Sequence, residues 1–326
     1  MKNNLKRKPQ TLAIIGNGFD LNHGYKTLYS DFAQAHKASK VLSEFEAYCK
    51  KELPERTWHD FENNIRELTQ KLFLQSYEED VDYEENRARV KDVNKIFAEL
   101  QVLLADYLKK EINSKPLIKK DCISQYLNDE AVALNFNYTS TAEAYTKNVI
   151  YVHGSLKEND ILLGYDSREE ACLAEYDDMR WYKEFEREAL ELRRKLGRCP
   201  FIRAKGKRYC ELTDALEAYQ ATEISGRGSD DEAASLIPHF RKIDRFVKHH
   251  REHALLRGID CHSIKTVAVL GHGIEADRVY LGRVLSKCDK IEKIVIYRHE
   301  KETDDEFFKK TDFLRNYCDN IISVAY

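Results

Sequence analysis

Four short stretches carry the residue types that chemistry needs: Gly16-Asn17-Gly18-Phe19-Asp20, Asn137-Tyr138-Thr139, His153-Gly154-Ser155 and Gly271-His272-Gly273. Glycines flanking a single residue let a backbone turn tightly and present amide N–H groups to a phosphate. An imidazole suits proton transfer or polarisation of a ribose hydroxyl near neutral pH, which makes His153 a candidate base. Asn137 does not titrate, but its amide can hold a ribose or orient a water. Together these groups suit cleavage of an N-glycosidic bond, where an oxocarbenium-like ribose forms and positioning and electrostatics supply the catalysis. Asp20 fits such a site as a carboxylate stabilising the cation; it fits equally a turn position or a helix N-cap. Phe19 and His23 share the first turn and Thr139 lies beside Asn137, so all three belong to the same expected nucleotide site.

The glycine turn is not the ordinary dinucleotide fingerprint. That motif needs a third glycine where this chain has Leu21, and an acidic residue closing a second strand about 20 residues later. Here the following region carries helical spacing instead, through Leu28, Phe32, Ala35, Leu42 and Phe45.

Each polar stretch follows an apolar run: TLAIIG (11–16), AVALNF (131–136), VIYVHG (149–154) and KTVAVLGHG (265–273). Further strand signals are DILLG (160–164) and KIVIYRHE (293–300). Helical periodicity marks 28–50, 57–74, 90–112 and a segment near 304–317. Alternating helices and continuous apolar strands predict an α/β, Rossmann-like fold: a mostly parallel sheet with helices on both faces. Charged amphipathic helices at about 168–262 read as a helical insertion. Ligands of such sheets bind outside the carboxyl ends of the strands, where all four polar stretches fall.

Composition narrows the class. The chain has 326 residues, 33% charged and 42% hydrophobic, as expected of a globular protein rather than a disordered one. A formal net charge of -3 gives no global argument for DNA or an anionic membrane as partner. No run approaches the roughly 20 apolar residues of a membrane span. The eight cysteines are scattered without a CxxC pair, which fits neither a zinc site nor a disulfide scaffold. The expectation is a cytoplasmic protein with reduced thiols and no metal.

Five segments carry a family resemblance: IIGNGFDLNHGYKTLYSDF, WHDFE, NFNYTSTAE, YVHGS and LGHGIEADRVY. In this order, over nearly the whole chain, they resemble the AbiH family of bacterial abortive-infection proteins. More remotely the series is similar to the sirtuin-like nucleotide fold. The resemblance implies a phosphate loop at Gly16, Asn17, Gly18 and Asp20. It implies a nicotinamide-ribose asparagine at Asn137, with Thr139 where sirtuins have aspartate, and a ribose-directed histidine at His153. Gly271 and His272 match the late motif near the adenosine, and Asp277 the acid that follows it in AbiH proteins. Two departures occur there: Gly273 stands where serine is expected, and the spacing to Asp277 is one residue short.

Trp58 and Glu62 match the AbiH segment after the first helix and share a helix face; Trp58 reads as core packing, while Glu62 is open. Sirtuin deacylases carry a zinc ribbon that this chain lacks, so the implied activity is NAD hydrolysis in antiphage defence rather than deacylation. The expectation is one sirtuin-like domain over 1–326 with the insertion. NAD or a related nucleotide is its substrate or ligand, and no cofactor is permanently bound. A homo-oligomer or a defence-system protein is the expected partner; a membrane is not, and nucleic acid stays open. Two other readings stand beside this one. The first is a non-catalytic nucleotide sensor signalling through the helical middle. The second is a nuclease on tRNA or phage nucleic acid, using the basic clusters RAKGKRY and FRKIDRFVKHHREH.

Overall fold

A computed structural model of the chain describes residues 9–52, 58, 61–62, 64–65, 83–161, 163–164, 260–299 and 302–325. The chain divides into two compact units, one formed by 1–35, 101–162 and 252–326, the other by 36–100 and 163–251. Apart from Asp260, Cys261 and His262, the expected insertion at 168–262 lies outside the described residues, as do both basic clusters. No described helix is long and apolar enough to cross a membrane.

The first unit holds a six-stranded sheet. Its strands are β1 (Thr11–Ile15), β2 (Ala131–Asn135), β3 (Val149–Tyr151), β6 (Thr266–Leu270), β7 (Lys293–Arg298) and β8 (Ile321–Ala325). Between β3 and β6, β4 (Gly154–Ser155) and β5 (Asp160–Ile161) form a separate antiparallel pair. In the large sheet every neighbouring pair is parallel and the order is β3-β2-β1-β6-β7-β8. Numbered by their own sequence, these strands run 3-2-1-4-5-6, the Rossmann order, whose direction reverses between β1 and β6.

The central strands read as unbroken apolar runs because both sheet faces are covered. Ala13, Ile15, Ala133, Leu270, Val295 and Tyr297 pack beneath Phe19, Ile123, Leu127 and Tyr145. The residues that alternate with them, including Leu12, Ile14, Leu134 and Val269, are equally buried. Around the sheet lie α1 (Asn17–Asn22), α2 (Tyr29–Ala35), α5 (Asp121–Ser124), α6 (Arg278–Leu285) and α7 (Asp304–Arg315), with α4 (Tyr83–Asn113) contributing its residues from 101 onward. Helix α7 starts at a capping box, Thr303 and Glu306 each bonding the other's backbone amide.

Three details differ from the sequence reading. The helical run expected over 28–50 is two helices, α2 and α3 (Lys40–Glu52), parted by a turn in which the Ser39 amide bonds His36 O at 2.7 Å. The DILLG run contributes β5 to the small antiparallel pair instead of the large sheet. At the C-terminal edge β8 adds a strand absent from that reading; its edge position leaves Ile322 exposed and its pattern indistinct.

Register places Ile15 opposite both Asn135 and Leu270, and Asn135 opposite Tyr151. The polar stretches therefore leave the sheet at one level. At the reversal point the two glycine loops interlock. The Gly16 amide donates to Leu270 O at 3.0 Å, and the Gly18 amide to Gly271 O at 2.9 Å. A Cβ on Gly16 would sit 2.6 Å from His272 Cα, and one on Gly18 2.8 Å from Gly271 Cα. Gly271 has φ +63, and a Cβ there would fall 2.2 Å from the Phe19 nitrogen. These glycines are required by the approach of backbone to backbone.

Gly271→Ala combines a left-handed backbone with overlap against main chain, and is expected to cost about 3 kcal/mol or more. Gly273, where a Cβ meets nothing within 4 Å, is the control. Gly273→Ala is expected to stay within about 0.5 kcal/mol of the parent. Urea unfolding of the two variants checks this, and equal costs would refute the interlock as the reason for Gly271.

Candidate functional site

Three polar groupings occupy the carboxyl ends of β1, β2, β3 and β6. The first is built on the loop after β2. The Asn135 side chain turns that loop by accepting from the Asn137 amide at 3.1 Å and donating to Thr139 O at 3.0 Å, the backbone-mimicking turn that asparagine favours. This brings Asn137 Nδ2 to Gly16 O at 2.9 Å, tying the loop to the end of β1. Thr139 then reaches Asp20 on α1: its hydroxyl donates to Oδ2 at 2.6 Å and accepts from Thr141 Oγ1 at 3.2 Å.

Asp20 is 1% exposed, and its Oδ1 has no hydrogen-bond partner among the described residues. Burial pushes its carboxyl up to about 6, against the opposing pull of Thr139, Thr141 and Asn137. A buried carboxyl poised near neutrality with one unmet oxygen is unusual in a purely structural role.

The second grouping joins the loop after β3 to the loop after β6. His153 Nε2 lies 3.2 Å from Asp277 Oδ1, and His272 Nε2 lies 3.2 Å from Asp277 Oδ2. Two histidines thus share one carboxylate. Burial alone would raise the Asp277 carboxyl; His153 and then His272 outweigh it and hold the group well below the usual carboxylate range. Phe136 packs against both imidazoles in edge-to-face geometry, its ring centroid 5.4 Å from that of His153 and 4.3 Å from that of His272. His153 keeps 12% of its side chain exposed, whereas His272 keeps 6%. Among the described residues no cluster of three or more His, Cys, Asp or Glu is arranged to hold a metal ion.

The third grouping packs beneath α1. His23 donates from Nδ1 to Phe19 O at 2.7 Å and accepts the Tyr145 hydroxyl at Nε2, 2.8 Å away. Tyr145 in turn accepts the Lys120 amide. Burial is the main influence lowering the His23 basicity, and the imidazole bridges α1 to Tyr145. Phe19 is fully buried in the sheet core, a placement worth roughly 2–3 kcal/mol. Asn17 accepts the Thr27 hydroxyl and donates to Thr27 O, holding the segment after α1 in place.

Of the sequence-predicted residues, Asn137, Thr139, Asp20 and Gly16 meet in one hydrogen-bonded set, and His153, His272 and Asp277 in another. Phe19, His23 and Asn17 anchor α1. Gly16, Gly18 and Gly271 form the floor between β1 and β6. Sequence reasoning missed Asn135, Thr141 and Phe136. Their signal lay in the NFNYTST run, where polar residues sit on both sides of Asn137. In the second unit Trp58 stacks on Phe61 with centroids 5.1 Å apart and donates to Glu46 at 2.9 Å, in keeping with a packing role.

A family model described as "Bacteriophage abortive infection AbiH" matches residues 12–298, and the chain belongs to that family. This places it among proteins of phage abortive infection. No curated protein and no solved structure matches it.

The Asp20 environment fixes a pH dependence. The native carboxyl keeps its proton up to about 6, whereas an unfolded aspartate loses it near 3.9. The resulting stabilisation is fully present below about pH 4 and is lost as pH rises through 6. Relative to the wild type, Asp20→Asn is therefore expected to gain about 2 kcal/mol between pH 4 and pH 7.5. Paired urea titrations at both pH values check this, and a pH-independent difference would count against it.

Proposed function

We propose that this AbiH protein acts in abortive infection by binding NAD or a related nucleotide at the carboxyl ends of β1, β2, β3 and β6, and by hydrolysing its N-glycosidic bond. The observation that carries the reading is the placement of His153. It is a partly exposed histidine at the carboxyl end of β3, held by Asp277 from the loop after β6, beside the reversal point of a Rossmann-ordered sheet. Open α/β sheets of this order take their ligands at that place.

In this reading the dinucleotide lies over the Gly16–Gly18 turn, with its adenosine toward Gly271 and His272 and its nicotinamide ribose between Asn137 and His153. Water adds to the ribose C1′ while the C1′–N bond breaks and its electron pair stays on the departing base. His153 takes the proton from the water, and Asp277 stabilises the imidazolium that results. The Asn137 amide, fixed through Gly16 O, orients water or a ribose hydroxyl. Asp20, above its titration point at pH 7.5, supplies a buried negative charge close to Asn137 as positive charge develops on the ribose.

The test incubates the full chain with NAD and follows nicotinamide and ADP-ribose by chromatography. Release by the wild type is expected, with a loss of about 100-fold or more in His153→Ala, the range for removing a general base. Undiminished release by His153→Ala would overturn its catalytic role. NAD binding without release, seen as a thermal shift, would favour the sensor reading instead.

A further inference from the structure

The His153–Asp277–His272 chain contains more direction than its distances alone convey. The Ile274 amide points at His272 Nδ1 from 2.8 Å. A backbone amide only donates, so Nδ1 of His272 is an acceptor and carries no proton. The ring's proton then sits on Nε2, which faces Asp277 Oδ2 at 3.2 Å and donates to it. Asp277, ionised, only accepts. Its Oδ1 faces His153 Nε2 at 3.2 Å, so that nitrogen also carries a proton. Nδ1 of His153 is left without a hydrogen-bond partner among the described residues.

From this sequence of donors and acceptors we infer that His272 and Asp277 are positioning residues which fix His153 as its Nε2–H tautomer and so present Nδ1 as the basic nitrogen. The inference rests on the catalytic reading above only in its last step, the use of that nitrogen as a base; the tautomer of the neutral ring follows from the hydrogen bonds.

The local backbone is built around the same chain of bonds. Ile274 has φ +70 and ψ -49, a conformation rare for a β-branched residue. Such strain persists only where surrounding structure over-determines it, and it gathers at functional sites. Here Ile274 is 1% exposed, and its amide is the donor that sets the tautomer of His272. Phe136 packs against both imidazoles and limits their rotation. The arrangement is a second layer of support: a backbone amide orients one histidine, that histidine orients a carboxylate, and the carboxylate orients the histidine nearest the substrate.

The experiment uses the full chain labelled with ¹⁵N-histidine. Two-bond proton–nitrogen spectra at pH 8 report which ring nitrogen of each neutral imidazole carries the proton. His153 signals are assigned by their disappearance in His153→Gln. The expected wild-type result is His153 protonated at Nε2 with a bare Nδ1, and His272 likewise. In Asp277→Asn, His272 still donates from Nε2 and takes the amide oxygen, which turns the NH₂ group toward His153 Nε2, so His153 is expected to shift to its Nδ1–H tautomer. His272→Gln, which retains a donor toward Asp277, is expected to keep the wild-type His153 pattern. A wild-type His153 protonated at Nδ1 overturns the inference, and so does an Asp277→Asn spectrum identical to the wild type. The wild-type spectrum decides the first point even if a variant fails to fold. NAD turnover is measured on the same samples. The expected tautomer without turnover would sink the hydrolase reading and leave the positioning chain standing; turnover with the opposite tautomer would do the reverse.

Discussion

Two stretches of backbone meet at the carboxyl ends of β1 and β6 more closely than any side chain would permit. Gly16 and Gly18 abut Gly271 and His272 through main-chain atoms, and two amide–carbonyl bonds join them. Everything else at the site takes its position from this contact. It sets α1, and with α1 the Asp20 carboxyl. Gly16 O, held there, is the acceptor that fixes Asn137. On the other side, the loop that leaves Gly271 carries His272 and Asp277 to His153. A displacement at the glycines would therefore move both polar groupings at once, and pre-organised groups lose much of their effect when misplaced by about 1 Å.

The two buried carboxylates illustrate how environment assigns roles. Among the described residues Asp20 has hydroxyl neighbours, an unmet oxygen and no cation beside it, so burial prevails and its carboxyl rises to about 6. Asp277 is also shielded, yet two imidazoles bind its two oxygens, and its carboxyl falls well below the usual range. One acid is thus held toward its ionised form while burial pushes the other up to about 6. Groups driven apart in this way are the ones that divide acid–base labour in active sites. Asp277 is thus matched to the two imidazoles it accepts from, and Asp20 to the hydroxyls of the loop after β2.

Much of this was legible in the sequence. The four polar strand ends could be read because a parallel sheet buried on both faces writes its strands as continuous apolar runs, and whatever follows them must leave at the ligand-binding edge. The purpose of the glycines was not legible. A turn that cradles phosphate and a turn that lets two backbones touch need the same residue, and only the partner loop, some 250 residues away in sequence, tells them apart. Phe19 and His23 were hidden for a related reason: periodicity over a six-residue helix is too short to say which face meets the core. The Asp277 contacts were beyond sequence reasoning because they depend on how far the loop after β6 folds back.

The loop after β6 is shaped by its own backbone as much as by its side chains. Gly273 stands at a position where a Cβ would meet no atom within 4 Å, so the packing places no demand for glycine there. Between His272 and Asp277 the chain turns at Ile274, which has a positive φ. A relaxed, extended path over so few residues would carry Asp277 away from His272; the turn folds the chain back so that one carboxylate reaches both imidazoles at 3.2 Å. The same turn directs the Ile274 amide onto His272 Nδ1. Backbone strain at one residue thus does two things, closing a short loop and setting the direction of the hydrogen bonds that end at His153. A glycine at 274 would adopt the turn without strain, but it would also let the loop leave it, and the direction of the chain would no longer be fixed by the fold.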